Sequence, residues 1–235
     1  MKRRSLDVVA VQKKTKTNLT TSHLSDAYYD HDCFKLARSL LGKKIVRKVN
    51  DRRLACKIVE VESYLANDDK SSHSYQHKKT KRNEAMFMKP GTLYVYLTYG
   101  MYHCMNISSK GDGDAVLIRA AEPMEGVDLM LQNRQRLSKS NKLFDKGVLC
   151  NGPSKLCQAL DIGLKQNKLN LCNSSELWLE EFERIPEDTI VHTKRIGLNV
   201  KRVGEWAMKP LRFYILGNGF VSKKDYNAEK EMAVK

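Results

Sequence analysis

The sequence predicts a single mixed α+β domain with a largely antiparallel curved sheet, flanking helices and a protruding β-hairpin. Three observations carry that expectation. A chain of 235 residues with 41% hydrophobic content can bury one sizeable core. Several β-branched or alternating runs are joined by short polar turns, the pattern of antiparallel hairpins. Helical patterns interleave with those strands, and no internal repeat divides the chain.

Charge names the partner class. Lys and Arg number 42 against 27 Asp and Glu, a net charge of +15, so the chain favours polyanions such as DNA, RNA or an anionic membrane surface. Membrane is the weaker option, because no run approaches the roughly 18 apolar residues needed to span a bilayer. The start, MKRRSLDVVAVQKKTKT, lacks the apolar core of a secretory signal, and the protein is expected inside the cell. Cys33, Cys56, Cys104, Cys150, Cys157 and Cys172 are scattered without a CxxC pair, and the six histidines include no HExxH. No metal, disulfide framework or cofactor is expected.

In chain order, residues 1–23 read as a flexible basic arm, with Lys2, Arg3, Arg4, Lys13, Lys14 and Lys16 against the single acid Asp7. A solvated tail accounts for that composition as well as a nuclear address or a DNA tether does. The folded domain is expected over 24–220. Asp32 to Leu41 has helical apolar spacing and stops at Gly42. Residues 44–49 and 55–62 are β-branched runs flanking the turn Asn50-Asp51-Arg52, a hairpin. Residues 66–85 are polar and Lys- and His-rich, expected as a long irregular loop with short helical turns rather than core.

In GTLYVYLTYGMYHCMN, Gly91 to Asn106, Tyr94 and Tyr96 alternate with Leu93, Val95 and Leu97, and Tyr99-Gly100 signals a turn before a second strand. Val116 to Ala120 is a further strand. Residues 124–137 are helical, anchored by Leu129, Met130 and Leu137, and Gly152-Pro153 leads a helix to Leu160. A last strand spans 209–217, before a loose charged tail over 221–235.

Two features bear on chemistry. The tyrosine hairpin offers flat faces for stacking bases beside lysines and arginines that neutralise phosphates, although ordinary packing of a half-buried strand explains the same alternation. Glu60 and Glu62 share one face at the end of an apolar run. They are either solvated acids on an edge strand, or Glu62, followed by Ser63-Tyr64-Leu65, sits at a pocket mouth as a general base.

The segments EVESY (Glu60 to Tyr64), RNEAMFMKPGTLYVYLTYGMYHCMN (Arg82 to Asn106), Leu117 to Ala120 with Glu122-Pro123, NGPSKLCQAL (Asn151 to Leu160) and GEWAMKPLRFY (Gly204 to Tyr214) closely resemble the alkyladenine DNA glycosylases, the eukaryotic-type 3-methyladenine glycosylases. The match runs in order over roughly residues 24–220. It implies a monofunctional base-excision-repair enzyme, acting as a monomer on duplex DNA, that flips alkylated or deaminated purines out of the stack. The substrate classes implied are 3-methyladenine, 7-methylguanine, hypoxanthine and ethenoadenine. Hydrolysis of the N-glycosidic bond would leave an abasic site for downstream repair proteins, with the nucleus as the expected compartment and the mitochondrion as an open alternative.

Residue by residue, the resemblance makes Glu62 the base that activates water and Arg119 the group that holds water and carboxylate in place. Tyr64, His73 and Tyr96 sandwich the flipped base, and the Asn106 amide obstructs the 2-amino group of normal guanine. Tyr99 is the wedge that fills the vacated stack, flanked by Met101 and Tyr102 as the hairpin enters the minor groove. The stretch Ala66 to Ser72 departs from a family pattern richer in Gly, Pro, Glu and Ala, placing the Ser71 and Ser72 hydroxyls beside His73. Asp114 stands where a small residue is usual and is expected in solvent. Two competing readings are a lesion-binding DNA protein without catalysis, indifferent to Glu62→Gln, and a basic RNA-binding protein that uses the tyrosines as a platform.

Overall fold

The computed structural model describes residues 23–138 and 144–233; the expected basic arm, residues 1–23, lies almost wholly outside them. Two helices, α1 (Asp26–Tyr29) and α2 (Cys33–Leu40), lead into strands β1 (Lys44–Val49), β2 (Arg52–Tyr64), β3 (Leu93–Thr98), β4 (Tyr102–Ser108) and β5 (Ala115–Glu125). Then follow α3 (Val127–Arg136), α4 (Pro153–Ala159), β6 (Leu177–Glu180), β7 (Ile190–Thr193), α5 (Val200–Val203), β8 (Arg212–Ile215) and α6 (Tyr226–Ala233). Every strand pairing is antiparallel, and the mixed α+β class is as expected. Among the described residues no helix is long and apolar enough to cross a membrane.

Local chemistry accounts for the element ends. The Asp32 carboxylate accepts from the Phe34 and Lys35 amides at 3.0 and 2.9 Å, a cap that contributes about 1 kcal/mol. Gly42 follows α2 at φ 80°, and a Cβ there would lie 2.5 Å from the Glu183 carbonyl. The turn from β1 to β2 puts Asn50 and Asp51 at φ 46° and 62°, and that from β3 to β4 puts Tyr99 and Gly100 at φ 50° and 70°. Paired left-handed residues match the twist of the flanking strands, which is why such turns close two-residue hairpins.

The sheet runs β3-β4-β5-β2-β1-β6, with β8 against the far half of β2 and β7 beside β8. It curls around a core in which α2 and α4 pack Leu36, Leu40 and Leu156 against Ile58, Met105 and Ile118. The opposite side holds a smaller cluster of Val59, Ala120, Val191, Tyr214 and Val221.

Two adjoining bulges interrupt the long β2–β5 ladder. Ile58 pairs with Ala121, Glu60 with Ala120 and Val61 with Ile118, so Val59 on β2 and Arg119 on β5 have no partner in register. Each extra residue reverses the side-chain alternation. Cys56 and Ile58 face the main core before the bulge and Val61 after it, while Val116, Ile118 and Ala121 do so on β5. Glu60, Glu62 and Arg119 are thereby turned to one side.

Three expectations are corrected. The segment after β8 is no loose tail over 221–233: Val221 is buried, the Ser222 amide donates to Glu60, and α6 packs beside β7. The loop 66–85 is irregular with short 3₁₀ turns, yet Ala66, Asp69, Ser72, Ser74 and Asn83 are buried. Leu137 lies beyond α3 and is exposed, so it anchors nothing.

Candidate active site

Glu62 has no exposed surface. Its Oε1 accepts from the Ile196 amide at 2.9 Å and its Oε2 from the Tyr64 hydroxyl at 2.9 Å. The Arg119 guanidinium approaches from β5, with Nη1 3.4 Å from Glu62 Oε1 and Nε 3.4 Å from Glu60 Oε1. Glu60 is equally buried and binds Arg212 Nη1 at 2.7 Å. Two carboxylates thus meet two guanidiniums, which offsets the cost of burying charge only because each is also hydrogen-bonded. The solvated edge-strand reading of these acids does not hold.

A group of aromatic rings lies beside this centre, joined to it by the Tyr64 hydroxyl on Glu62. Tyr94 and Tyr96 stack at 5.4 Å, and His73 meets the Tyr96 ring edge-on at 4.6 Å. His73 Nδ1 is 2.8 Å from the Tyr94 hydroxyl. Crowding by protein lowers the His73 pKa from 6.5 to about 4, with the positive charges of Arg82 and Arg202 acting the same way. Although His73 keeps exposed surface, the lowered pKa leaves its ring neutral at physiological pH. Burial lifts the Tyr94 hydroxyl to about 12, and burial followed by the Glu62 charge lifts Tyr64 well above the ordinary tyrosine value. Arg82 lies 5.4 Å from the Tyr96 ring centre and with Arg202 makes this rim basic.

Asn106 is buried on β4, and its amide donates to the Tyr94 carbonyl at 3.1 Å, so the side chain has a fixed orientation. Tyr99 stands apart at the hairpin tip, 88% exposed, with Met101 at 65% and Tyr102 at 38%. A tyrosine held at positive φ stores local strain, typically of order 1 kcal/mol or more. The sequence-derived residues therefore fall into three places: the acid centre Glu62 and Arg119, the ring group His73, Tyr94 and Tyr96 with buried Asn106, and the exposed tip. Tyr64 bridges the first two by chemistry, as a ring beside Glu62 whose hydroxyl is bonded to it.

Sequence reasoning missed the supports. Arg195 lies fully buried between strands and loop, its Nη1 and Nη2 bonded to Asp69 at 2.5 and 2.9 Å. The same guanidinium lies 4.6 Å from the centre of the Tyr64 ring and donates to the Ser63 carbonyl at 2.8 Å. Nothing local marks Arg195 in TKRIGL, nor Asp69 in a polar loop, since each acquires its role from a residue 126 positions away. Asn83 ties the loop down by donating to the His73 and Lys78 carbonyls, each at 2.8 Å. Ser71 and Ser72 bond within the loop, to Asp69 and Ser74. Asp114 is half-buried rather than solvated, accepts from the Ala66 amide at 2.8 Å, and has its pKa raised by burial.

The chain belongs to the methylpurine-DNA glycosylase family, whose model matches residues 27–219. It is 47% identical over 208 residues to a protein of Homo sapiens named DNA-3-methyladenine glycosylase, covering 87% of this chain and 69% of that protein. The Mus musculus protein of the same name is 45% identical over 216 residues, covering 89% and 64%. A Clostridium perfringens protein named putative 3-methyladenine DNA glycosylase is 43% identical over 204 residues, covering 84% and 97%. The chain thus spans about two thirds of its mammalian relatives and nearly all of the bacterial one.

Proposed function

We propose that the protein is a monofunctional glycosylase that removes alkylated and deaminated purines from duplex DNA, with Glu62 as general base. The observation that carries this reading is the Glu62 carboxylate. It is buried, held by Ile196 and Tyr64, and accompanied by Arg119 beside a group of aromatic rings.

The proposed steps are these. Basic groups at the rim neutralise phosphates. The Tyr99 wedge enters the minor groove between Met101 and Tyr102 and occupies the hole left by an extruded nucleotide, since extrusion costs a few kcal/mol of stacking. The base stacks on Tyr64 on the face away from Arg195, with His73 and Tyr96 across from it. Electron-rich rings favour a cationic alkylated purine. The fixed Asn106 amide excludes guanine by a clash with its 2-amino group, a selection by repulsion. Water that enters with the base gives its proton to Glu62 as its oxygen attacks the sugar C1′, and the C1′–N bond electrons leave with the purine. The anionic centre also stabilises the oxocarbenium-like charge on the sugar, and Arg119 orients carboxylate and water. No lysine is assigned as a nucleophile, so the product is an abasic site on an intact strand, passed to abasic-site repair proteins. A monomer acting in the nucleus fits this role.

The test is a single-turnover incubation with a hypoxanthine-containing duplex, comparing wild type with Glu62→Gln, with and without alkali. Alkali-dependent strand cleavage by wild type alone is expected. Retained excision by Glu62→Gln would remove the general-base assignment. Tight lesion binding without excision by wild type, repeated on alkylated substrates, would instead favour a lesion-binding protein.

A further inference from the structure

We propose that Ser222, on the C-terminal segment Val221–Asp225, and Glu60 are positioning residues of the reaction, so that this segment is part of the catalytic centre. The inference rests on the reading of Glu62 as general base and Arg119 as its companion.

Arg119 is poorly held by the carboxylates alone. Both lie 3.4 Å from it, at the edge of hydrogen-bond range, and a guanidinium on a long side chain can rock between them. The shorter contact comes from the C-terminal segment: Arg119 Nε donates to Ser222 Oγ at 3.1 Å. Ser222 also reaches the other side of the same pair, its amide donating to Glu60 Oε2 at 2.7 Å. One residue thereby clamps both members of the Arg119–Glu60 contact. With Nε fixed, the Nη1 group that faces Glu62 and the attacking water has one position.

The segment carrying Ser222 is itself fastened on both sides. Val221 is buried against Tyr214 and Val191. Arg212 Nη1 binds the Lys223 carbonyl at 2.8 Å as well as Glu60 Oε1 at 2.7 Å, and its Nε binds the Lys194 carbonyl at 2.9 Å. Thr193 donates to Asp225, and the Asp225 amide donates to the Tyr214 hydroxyl at 2.9 Å. A clamp held this rigidly transmits a fixed geometry, the requirement for a supporting residue near a reacting group. Glu60 gives the cluster charge balance: without its carboxylate Arg212 loses its acid partner, and Arg119, left with Glu62 alone, would be drawn towards it.

The experiment compares wild type, Ser222→Ala, Ser222→Thr, Glu60→Gln and Glu62→Gln by single-turnover excision at saturating enzyme. Lesion-duplex affinity and thermal midpoint are measured in parallel. Losing one hydrogen bond to a charged group in the centre is expected to slow excision by Ser222→Ala about tenfold, with affinity within about twofold and an unchanged midpoint. Ser222→Thr restores the hydroxyl, and with it most of the rate, at a position that is only half-buried. Glu60→Gln is expected to slow excision while leaving affinity intact. A wild-type rate for Ser222→Ala, a deficit that threonine does not repair, or a loss of affinity matching the loss of rate would overturn the proposal. Equal excision by wild type and Glu62→Gln would instead overturn the general-base reading, and this inference with it.

Discussion

The Tyr64 hydroxyl donates to the Glu62 carboxylate at 2.9 Å, joining a candidate base-stacking ring to the candidate general base two residues before it on the same strand. Tyr64→Phe is therefore expected to keep the stacking face and lose the bond. A hydrogen bond to a charged acceptor contributes about 1.5–3 kcal/mol, so excision should fall by roughly tenfold or more while lesion affinity changes little. Single-turnover rates and a binding titration on one duplex decide it. A variant that loses affinity and keeps its rate would show that the hydroxyl serves the base and not the acid.

Arg195 and Asp69 form a bidentate pair with no exposure on either side, tying the loop that carries His73 to the segment beside Glu62. Asp69→Asn leaves a buried guanidinium without its counter-charge, which typically costs about 3–5 kcal/mol. In a domain of this size that should lower the thermal midpoint by roughly 10 °C. Calorimetry is the check, and a shift under two degrees would mean that the loop is fastened elsewhere.

The low pKa of His73 has a signed consequence. The group is lowered from 6.5 to about 4 in the folded chain, so below pH 6.5 the unfolded chain binds the extra proton. The stabilising share of this histidine is complete above pH 6.5, declines as pH falls towards 4, and is constant below that. The His73 ring signal in an NMR titration should stay flat from pH 8 to pH 5 and move near 4. A midpoint near 6.5 would show that the ring is freely solvated.

Tyr99 supports nothing in the fold, being 88% exposed at a hairpin tip with positive φ. Tyr99→Asn, which tolerates that backbone conformation, should raise stability by about 1 kcal/mol or less yet weaken capture of a flipped base. Chemical denaturation and lesion binding measured together separate the two effects, and unchanged lesion affinity would end the wedge assignment.

Binding should also weaken steeply with salt. Each phosphate neutralised by Lys or Arg contributes close to one unit to the slope of log affinity against log salt. Titrations between low and physiological salt will give that slope, and a flat profile would contradict a basic binding face.

How far the sequence could be read follows from where each signal lies. The hairpin was legible because Tyr94, Tyr96 and Tyr99-Gly100 are neighbours in the chain, and period-2 alternation and turn propensity are local. So were α2, with its Asp32 cap and Gly42 stop, and the β1–β2 turn at Asn50-Asp51. Glu60 and Glu62 could be singled out as acids in an apolar run, and a long resemblance supplied roles for them and for Arg119. The short strands β6 and β7, four residues each, lacked enough alternation to stand out. The helix α6 was hidden by its polar composition, since its packing beside β7 comes only with the fold.

By itself, then, the sequence determined the class of fold, the tyrosine hairpin, the basic character and Glu60 and Glu62 as the acids to examine. Local propensity, charge and motif are properties of adjacent residues. Only the tertiary structure decided how those groups meet. The paired bulges at Val59 and Arg119 turn a guanidinium towards Glu60 and Glu62, the Arg195–Asp69 pair backs the Tyr64 ring, and Ser222 returns from the end of the domain to clamp Arg119. Each joins residues far apart in the chain, and its strength comes from burial, where a charge without its partner is costly and only the completed fold supplies the partner.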